Sequence, residues 1–230
     1  MSAHWLPIRP SRVGILLLIL IGLGGATILV GVAIVHSSSI QHLDDHVTSW
    51  LLAQRSQPLD QLMRIITWLG SWICLAGLGA VIVALVLTKR LPVAVALGFA
   101  IAWAGEEAVV NIAKSVIDRP RPPHAIWLVD AHGGSFPSGH ASNASLLFTT
   151  LAFLAFLVSE RRPFRIAVLA LSALGVAAVC FSRVELGVHW TSDVTTSVIV
   201  MTAWLASLFG LFEDRRLAER QAAHDELHQG

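Results

Sequence analysis

The sequence predicts an all-α fold, a polytopic integral membrane bundle of six transmembrane helices forming one domain over residues 1–230. Three observations lead there. The chain is 55% hydrophobic and only 13% charged, where soluble domains carry about 25% charged residues. Its mean hydropathy is +0.69. Six apolar runs approach the roughly 20 residues that a helix needs to cross a bilayer core, at about 13–35, 69–88, 91–110, 141–158, 166–182 and 194–212. The net charge of +1 is spread thinly between those runs, so it carries no signal for nucleic acid, and no nucleic-acid partner is expected.

The first run is too long for a signal-peptide core and no A-x-A site follows it, so it is expected to be a retained anchor. Its glycines, Gly22, Gly24 and Gly25, are expected to permit close helix packing. Segment 40–68 follows, with Leu43, Val47, Trp50 and Leu51 at helical spacing and a second helical stretch opened by Pro58. It is read as a connector lying at the membrane surface, in preference to a substrate lid. The third run ends at Glu106-Glu107. Glu107, Asn111 and Lys114 then share one helix face, where the first two are expected to orient the lysine. Cys74 and Cys180 lie inside apolar runs and are expected to pack there as single thiols.

Orientation follows the Lys/Arg bias of the loops. With the N-terminus cytoplasmic, the inner flanks hold Arg9, Arg12, Lys89, Arg90, Arg161, Arg162, Arg165, Arg215, Arg216 and Arg220. The outer flanks hold Arg55, Arg64, Lys114, Arg119, Arg121 and Arg183, a split of ten to six that puts both termini in the cytoplasm. The expected location is the inner (plasma) membrane. Arg55, Arg64 and Arg119 are read as interfacial anchors.

Three stretches share the predicted outer face: KSVIDRPRP after the third run, PSGH before the fourth, and SRVELGVHWTSD between the fifth and sixth. Lys114, Arg121 and Arg183 supply permanent positive charge, the natural complement of a phosphate monoester. Ser138 and Gly139 open a helix, whose free N–H groups and positive dipole end bind anions. His189 and Asp193 are four residues apart, which on a helix puts both on one face. The carboxylate is then placed to hold one imidazole nitrogen while the other attacks phosphorus. His140 is placed to protonate the leaving oxygen and then to activate water. Fixed cations can stabilise such a transition state without a metal. His124, His132, His140, His189 and Asp193 suggest a metal site only until the three cations are counted, which oppose it. Neither metal nor cofactor is expected.

These motifs resemble the type-2 phosphatidic acid phosphatase superfamily, whose pattern is K-x6-RP, PSGH and SR-x5-H-x3-D. Lys114 through Arg121-Pro122, Pro137 through His140, and Ser182-Arg183 with His189 and Asp193 match it in order and spacing. The resemblance implies His189 as nucleophile, Asp193 as its partner and His140 as general acid. It implies Lys114, Arg121, Ser138, Gly139 and Arg183 as phosphate ligands. Within the superfamily the chain is similar to bacterial lipid phosphatases acting on phosphatidylglycerophosphate, phosphatidic acid or undecaprenyl diphosphate. The expectation is therefore a membrane lipid phosphatase using a phosphohistidine intermediate at the outer face, with a phosphorylated lipid and the bilayer as its partners. A lipid phosphotransferase and a non-enzymatic phosphate-lipid transporter are the alternatives. Glu185 departs from the family, which often has an aromatic residue there, and an acid at that point is expected to bear on head-group choice.

Overall fold

Serine and proline set most of the helix boundaries. In the computed structural model, which describes residues 10–208, α1 runs Pro10–His36. Ser37 then caps α2, Ser38–Gln54, by accepting from Ile40 N at 3.3 Å. Pro58 lies in the first turn of α3, Gln57–Ile66, where its missing N–H costs nothing. A 3₁₀ turn at Thr67–Gly70 leads to Ser71, whose hydroxyl caps α4, Trp72–Leu87. Helix α5, Val93–Ile117, ends at Asp118 in the left-handed conformation, and Pro120 and Pro122 prevent its continuation. Ser138 caps α6, Gly139–Val158. Helix α7 is Arg162–Glu185, and α8 covers 191–208 up to the edge of the described residues. No strand occurs among the described residues.

Helices α1, α5, α6 and α7 are each long and apolar enough to cross a membrane. The α3 segment through Gly70 and α4 meet at a 45° bend and together pass the same test, giving four or five spans by length and composition. The protein is thus an all-helical, multi-pass membrane protein. The third and fifth apolar runs underestimate their helices: α5 continues beyond Glu106-Glu107 by almost three turns, and α7 reaches Glu185. The predicted sixth run, and Arg9, Arg215, Arg216 and Arg220, extend outside the described residues.

The core of the bundle joins Leu75, Leu78 and Ile82 of α4, Phe99 and Ala102 of α5, Leu146 and Leu147 of α6, and Met201, Trp204 and Leu205 of α8. Trp204 donates its indole N–H to Ala102 O at 3.0 Å, so the one polar atom of that side chain is satisfied inside the bundle. Outward-facing Leu18, Leu29, Leu171 and Leu174 stay 66–72% exposed. A bilayer is the solvent that suits such a surface.

Segment 40–68 does not simply lie at the surface. Asp44, Thr48 and Leu51 are its buried face, while Leu43 and Trp50 point outward. Leu51 packs with Ala141, Val184 and Val194, and Met63 packs with Leu186 and Val188. Both helices therefore sit on the end of the bundle where α6 begins and α7 ends. Of Gly22, Gly24 and Gly25, only Gly24 comes near another helix, 3.9 Å from Val109 for an added Cβ, and the other two meet nothing within 4 Å. The close approaches are elsewhere. A Cβ on Gly70 would stand 2.6 Å from the carbonyl oxygen of His140, and one on Gly105 would stand 2.5 Å from the Trp204 ring.

Gly105→Val should overpack the α5–α8 contact, at a cost of about 1–3 kcal/mol. The expected outcome is a lower thermal unfolding midpoint in detergent, and Gly22→Val, with open space around it, should leave that midpoint unchanged.

Candidate active site

All three motif stretches meet at one end of the bundle. Lys114 is in the last turn of α5 and gives its Nζ hydrogen bond to Gly134 O at 2.8 Å. Arg121, in the following loop, donates from Nε to Gly133 O at 3.0 Å and from Nη2 to His132 O at 2.9 Å and Gly134 O at 3.2 Å. Its Nη1 reaches Val188 O at 2.6 Å and His189 Nε2 at 3.2 Å. Arg183, near the end of α7, is 4% exposed and donates from Nη1 to Thr67 Oγ1 at 2.8 Å, while its Nε has no partner.

The Arg121–His189 contact assigns the imidazole. A guanidinium has no acceptor, so Nε2 must present its lone pair and the ring proton sits on Nδ1. Nδ1 faces Asp193, whose Oδ2 lies 3.5 Å away, within ion-pair reach but long for a hydrogen bond. Burial first, and then the positive fields of Arg183, Arg121, Lys114 and His140, push His189 well below the ordinary histidine range. His189 is thus a neutral imidazole with Nε2 on the cationic side.

The route by which His189 and Asp193 meet differs from the helical spacing expected. His189 precedes α8, which begins at residue 191. Asp193 occupies the third position of that helix and folds back to accept from Trp190 N at 2.9 Å, one half of a capping box. The fold-back, and not an i, i+4 face, carries the carboxylate to the ring.

At the start of α6, the Ser138 hydroxyl accepts from Ala141 N at 3.4 Å and the Ser138 N–H is held by Ser197 Oγ at 2.8 Å. Ser197 in turn donates to Asp193 O at 2.8 Å, which ties the first turn of α6 to α8. Ser138 is fully buried. Its side chain caps the helix start, and the N–H groups of Gly139 and His140 make no hydrogen bond among the described residues. His140 is half-buried at that helix start, close enough for its charge to act on His189.

The model of the PAP2 superfamily matches residues 93–217, more than half of the 230 residues. The chain belongs to the PAP2 superfamily. It is 30% identical over 170 residues to phosphatidylglycerophosphatase B of Bacillus subtilis (strain 168), covering 72% of this chain and 81% of that protein. The fold is similar to the crystal structure of a transmembrane PAP2 type phosphatidylglycerolphosphate phosphatase from Bacillus subtilis, with a TM-score of 0.72 and 24% identity over 85% of this chain and 96% of that one. It is also similar to Aquifex aeolicus LpxE, with a TM-score of 0.57 and 22% identity over 72% and 94% of the two chains.

Around this PAP2 site several expectations need correcting. Arg119 is no interfacial anchor: it is 2% exposed and donates to Asp193 Oδ1 at 2.6 Å and to Asp44 Oδ2 at 2.8 Å. Arg55 is also spent internally, donating to Ile126 O at 2.9 Å and to Glu185 O. Glu107 binds Asn111 at 2.9 Å on an outer face, so the pair does not reach Lys114. Glu185 is fully buried, with Arg55 Nε at 3.8 Å from its carboxylate, and presents no surface to a head group. His124 lies against Trp127 with ring centroids 4.7 Å apart. Arg119 fills one of the six unspecified positions of K-x6-RP, and Asp44 and Thr67 lie outside the three motifs. The one signal for Asp44 was its place on the 44, 47, 48, 51 stripe of α2, an acid among residues that turn inward.

The lowered His189 affinity for protons has a consequence for stability. The unfolded chain binds a proton near the ordinary value of 6.5 and the folded site refuses it. Stability is therefore full above 6.5 and falls as the pH drops below it. Between about pH 8 and pH 5 the wild-type melting temperature in detergent should fall by more than that of His189→Gln.

Proposed function

We propose that the protein is a membrane lipid phosphatase, working on a phosphomonoester or diphosphate head group through a phosphohistidine at His189. The observation that carries this reading is the neutral His189 with its Nε2 lone pair turned to Arg121 and its Nδ1 to Asp193. A nucleophile needs that tautomer and that unprotonated state. The kinship with phosphatidylglycerophosphatase B supports the lipid substrate class, and the outward apolar surface of the helices suits a substrate whose tails stay in the bilayer.

In this mechanism the phosphate enters among Lys114, Arg121 and Arg183 and displaces the Gly133 and Gly134 carbonyls from the cations they now hold. The N–H groups of Gly139 and His140 add the anion site of a helix start. His189 Nε2 attacks phosphorus, the bond to the leaving oxygen breaks, and His140, which takes up a proton from solvent as the phosphate dianion binds beside it, gives that oxygen its proton. Asp193 stabilises the imidazolium. His140 then takes a proton from water, the hydroxide attacks phosphorus, and the P–N bond breaks to release phosphate and regenerate neutral His189. The fixed cations supply the transition-state charge, so no metal is needed. The same intermediate would serve a transferase, if a lipid hydroxyl replaced water.

We assign six spans, with the α3–α4 pair as one and α8 as the last. Both termini are then cytoplasmic, and the site faces the periplasmic or extracellular side of the inner membrane.

The direct test is phosphate release in excess EDTA from detergent-solubilised protein given phosphatidylglycerophosphate, phosphatidic acid and undecaprenyl diphosphate. At least one should be turned over. His189→Ala should abolish turnover, and Asp193→Asn should cost several powers of ten, with the double variant little worse than His189→Ala. His140→Ala should hurt a lipid far more than nitrophenyl phosphate, whose leaving group needs no proton. Equal losses on both would make His140 a phosphate ligand only, and dependence on added metal would refute the cationic mechanism.

Topology has its own test. With Cys74 and Cys180 replaced by alanine, single cysteines at the exposed positions His124 and His132 should react with an impermeant thiol reagent in intact cells, and one at Arg162 should not. The reverse pattern would invert the protein.

A further inference from the structure

The Asp193 carboxylate is held from three directions. Arg119 Nη1 donates to Oδ1 at 2.6 Å, Trp190 N donates to Oδ2 at 2.9 Å, and His189 Nδ1 faces Oδ2 at 3.5 Å. Arg119 is itself held. Its Nη1 also reaches Ser192 Oγ at 2.8 Å, its Nη2 reaches Asp44 Oδ2 at 2.8 Å and Gln41 Oε1 at 3.5 Å, and its guanidinium carbon lies 5.6 Å from the Trp190 ring centre. Asp44 accepts in addition from Ser192 N at 2.9 Å and Ser192 Oγ at 2.5 Å. Arg119, Asp44 and Asp193 are all 2% exposed or less. Both nitrogens at the tip of the Arg119 fork are committed to this network, away from the phosphate side.

A carboxylate joined to its helix through one methylene rotates easily, and only one rotation aims Oδ2 at the imidazole. The backbone N–H of Trp190 restrains one oxygen, and Arg119 restrains the other. We propose that Arg119 and Asp44 are positioning residues: the Arg119 guanidinium sets the rotation of the Asp193 carboxylate against His189, and Asp44 of α2 sets the guanidinium. The site then reaches beyond the three motifs, and the segment between α1 and α4 supplies one of its parts. This inference rests on the reading of His189 as nucleophile and Asp193 as its partner.

The test separates kcat from KM in detergent, for nitrophenyl phosphate and for phosphatidylglycerophosphate, on monodisperse protein. The variants are Arg119→Ala, Arg119→Lys, Asp44→Asn and His189→Ala, each with and without millimolar guanidinium ion. Misplacing a reacting group by an ångström costs on the order of 100-fold, so Arg119→Ala should lower kcat by roughly that factor. KM should stay within about threefold, because Arg119 does not bind the phosphate. Arg119→Lys should recover part of kcat, and guanidinium should rescue part of Arg119→Ala and none of His189→Ala. Asp44→Asn should lower kcat by roughly tenfold in the same pattern. Unchanged kcat per folded enzyme in Arg119→Lys and Asp44→Asn would overturn the proposal. So would a rise in KM at constant kcat, or an Arg119→Ala loss that guanidinium does not relieve. If Arg119→Ala yields no folded protein, Arg119→Lys and Asp44→Asn carry the same decision. Failure of the underlying reading looks different, since His189→Ala would then keep its turnover.

Discussion

One guanidinium shared by two buried carboxylates holds this end of the bundle together. Arg119 comes from the loop after α5, Asp44 from α2 and Asp193 from α8, and no other group of charges joins three such separate elements among the described residues. The cluster is buried, so its charges are stabilised by each other, by the N–H and O–H groups of Trp190 and Ser192, and by the Gln41 amide, the Trp190 ring and the His189 imidazole. Removing one member of such a buried set leaves the others uncompensated, at a cost of about 3–5 kcal/mol. The geometry of the site is therefore inseparable from the docking of α2. A helix without any motif residue becomes a structural condition for the alignment of those that have them.

Next to that cluster the three motif cations face the opposite problem, an excess of like charge. Lys114, Arg121 and Arg183 lie close enough to act on one another and on His189. The protein answers with carbonyl dipoles. Gly134 O accepts from both Lys114 and Arg121, and His132 O, Gly133 O and Val188 O occupy most of the remaining Arg121 donors. Neutral acceptors satisfy hydrogen bonds without cancelling charge, so the cradle keeps its positive potential and its attraction for an anion. Glycine at 133 and 134 lets the loop bring successive carbonyls to the cations, and Gly133 takes the φ of +66° that this turn requires.

Much of this was legible because the motifs are short and local. The helix start at Ser138, the Lys114 to Arg121 spacing and the His189 to Asp193 spacing are read directly from residue order, and the structure brings all of them to one place. The misreadings share a cause. Arg119 and Arg55 carry the same composition signal as any cation at a membrane edge, and only the path of the chain shows that their partners are Asp193, Asp44 and backbone carbonyls. The helical spacing of Leu43, Val47, Trp50 and Leu51 in α2 does not separate its two faces, since Val47 and Leu51 turn inward and Leu43 and Trp50 outward, and in a membrane protein the exterior is as apolar as the core.

By itself, then, the sequence determined an all-helical membrane protein with a cationic, two-histidine constellation of the PAP2 type, because helix length, hydropathy and motif spacing are properties of residue order alone. It also determined where most of the helices start, since serine hydroxyls and proline rings act within one turn. Tertiary structure alone decided which charges are buried, which cation meets which acid, and that Glu185 is sealed against Arg55. Those outcomes depend on contacts between residues separated by as many as 148 positions, as Asp44 and Ser192 are, and no local pattern encodes a partner that distant.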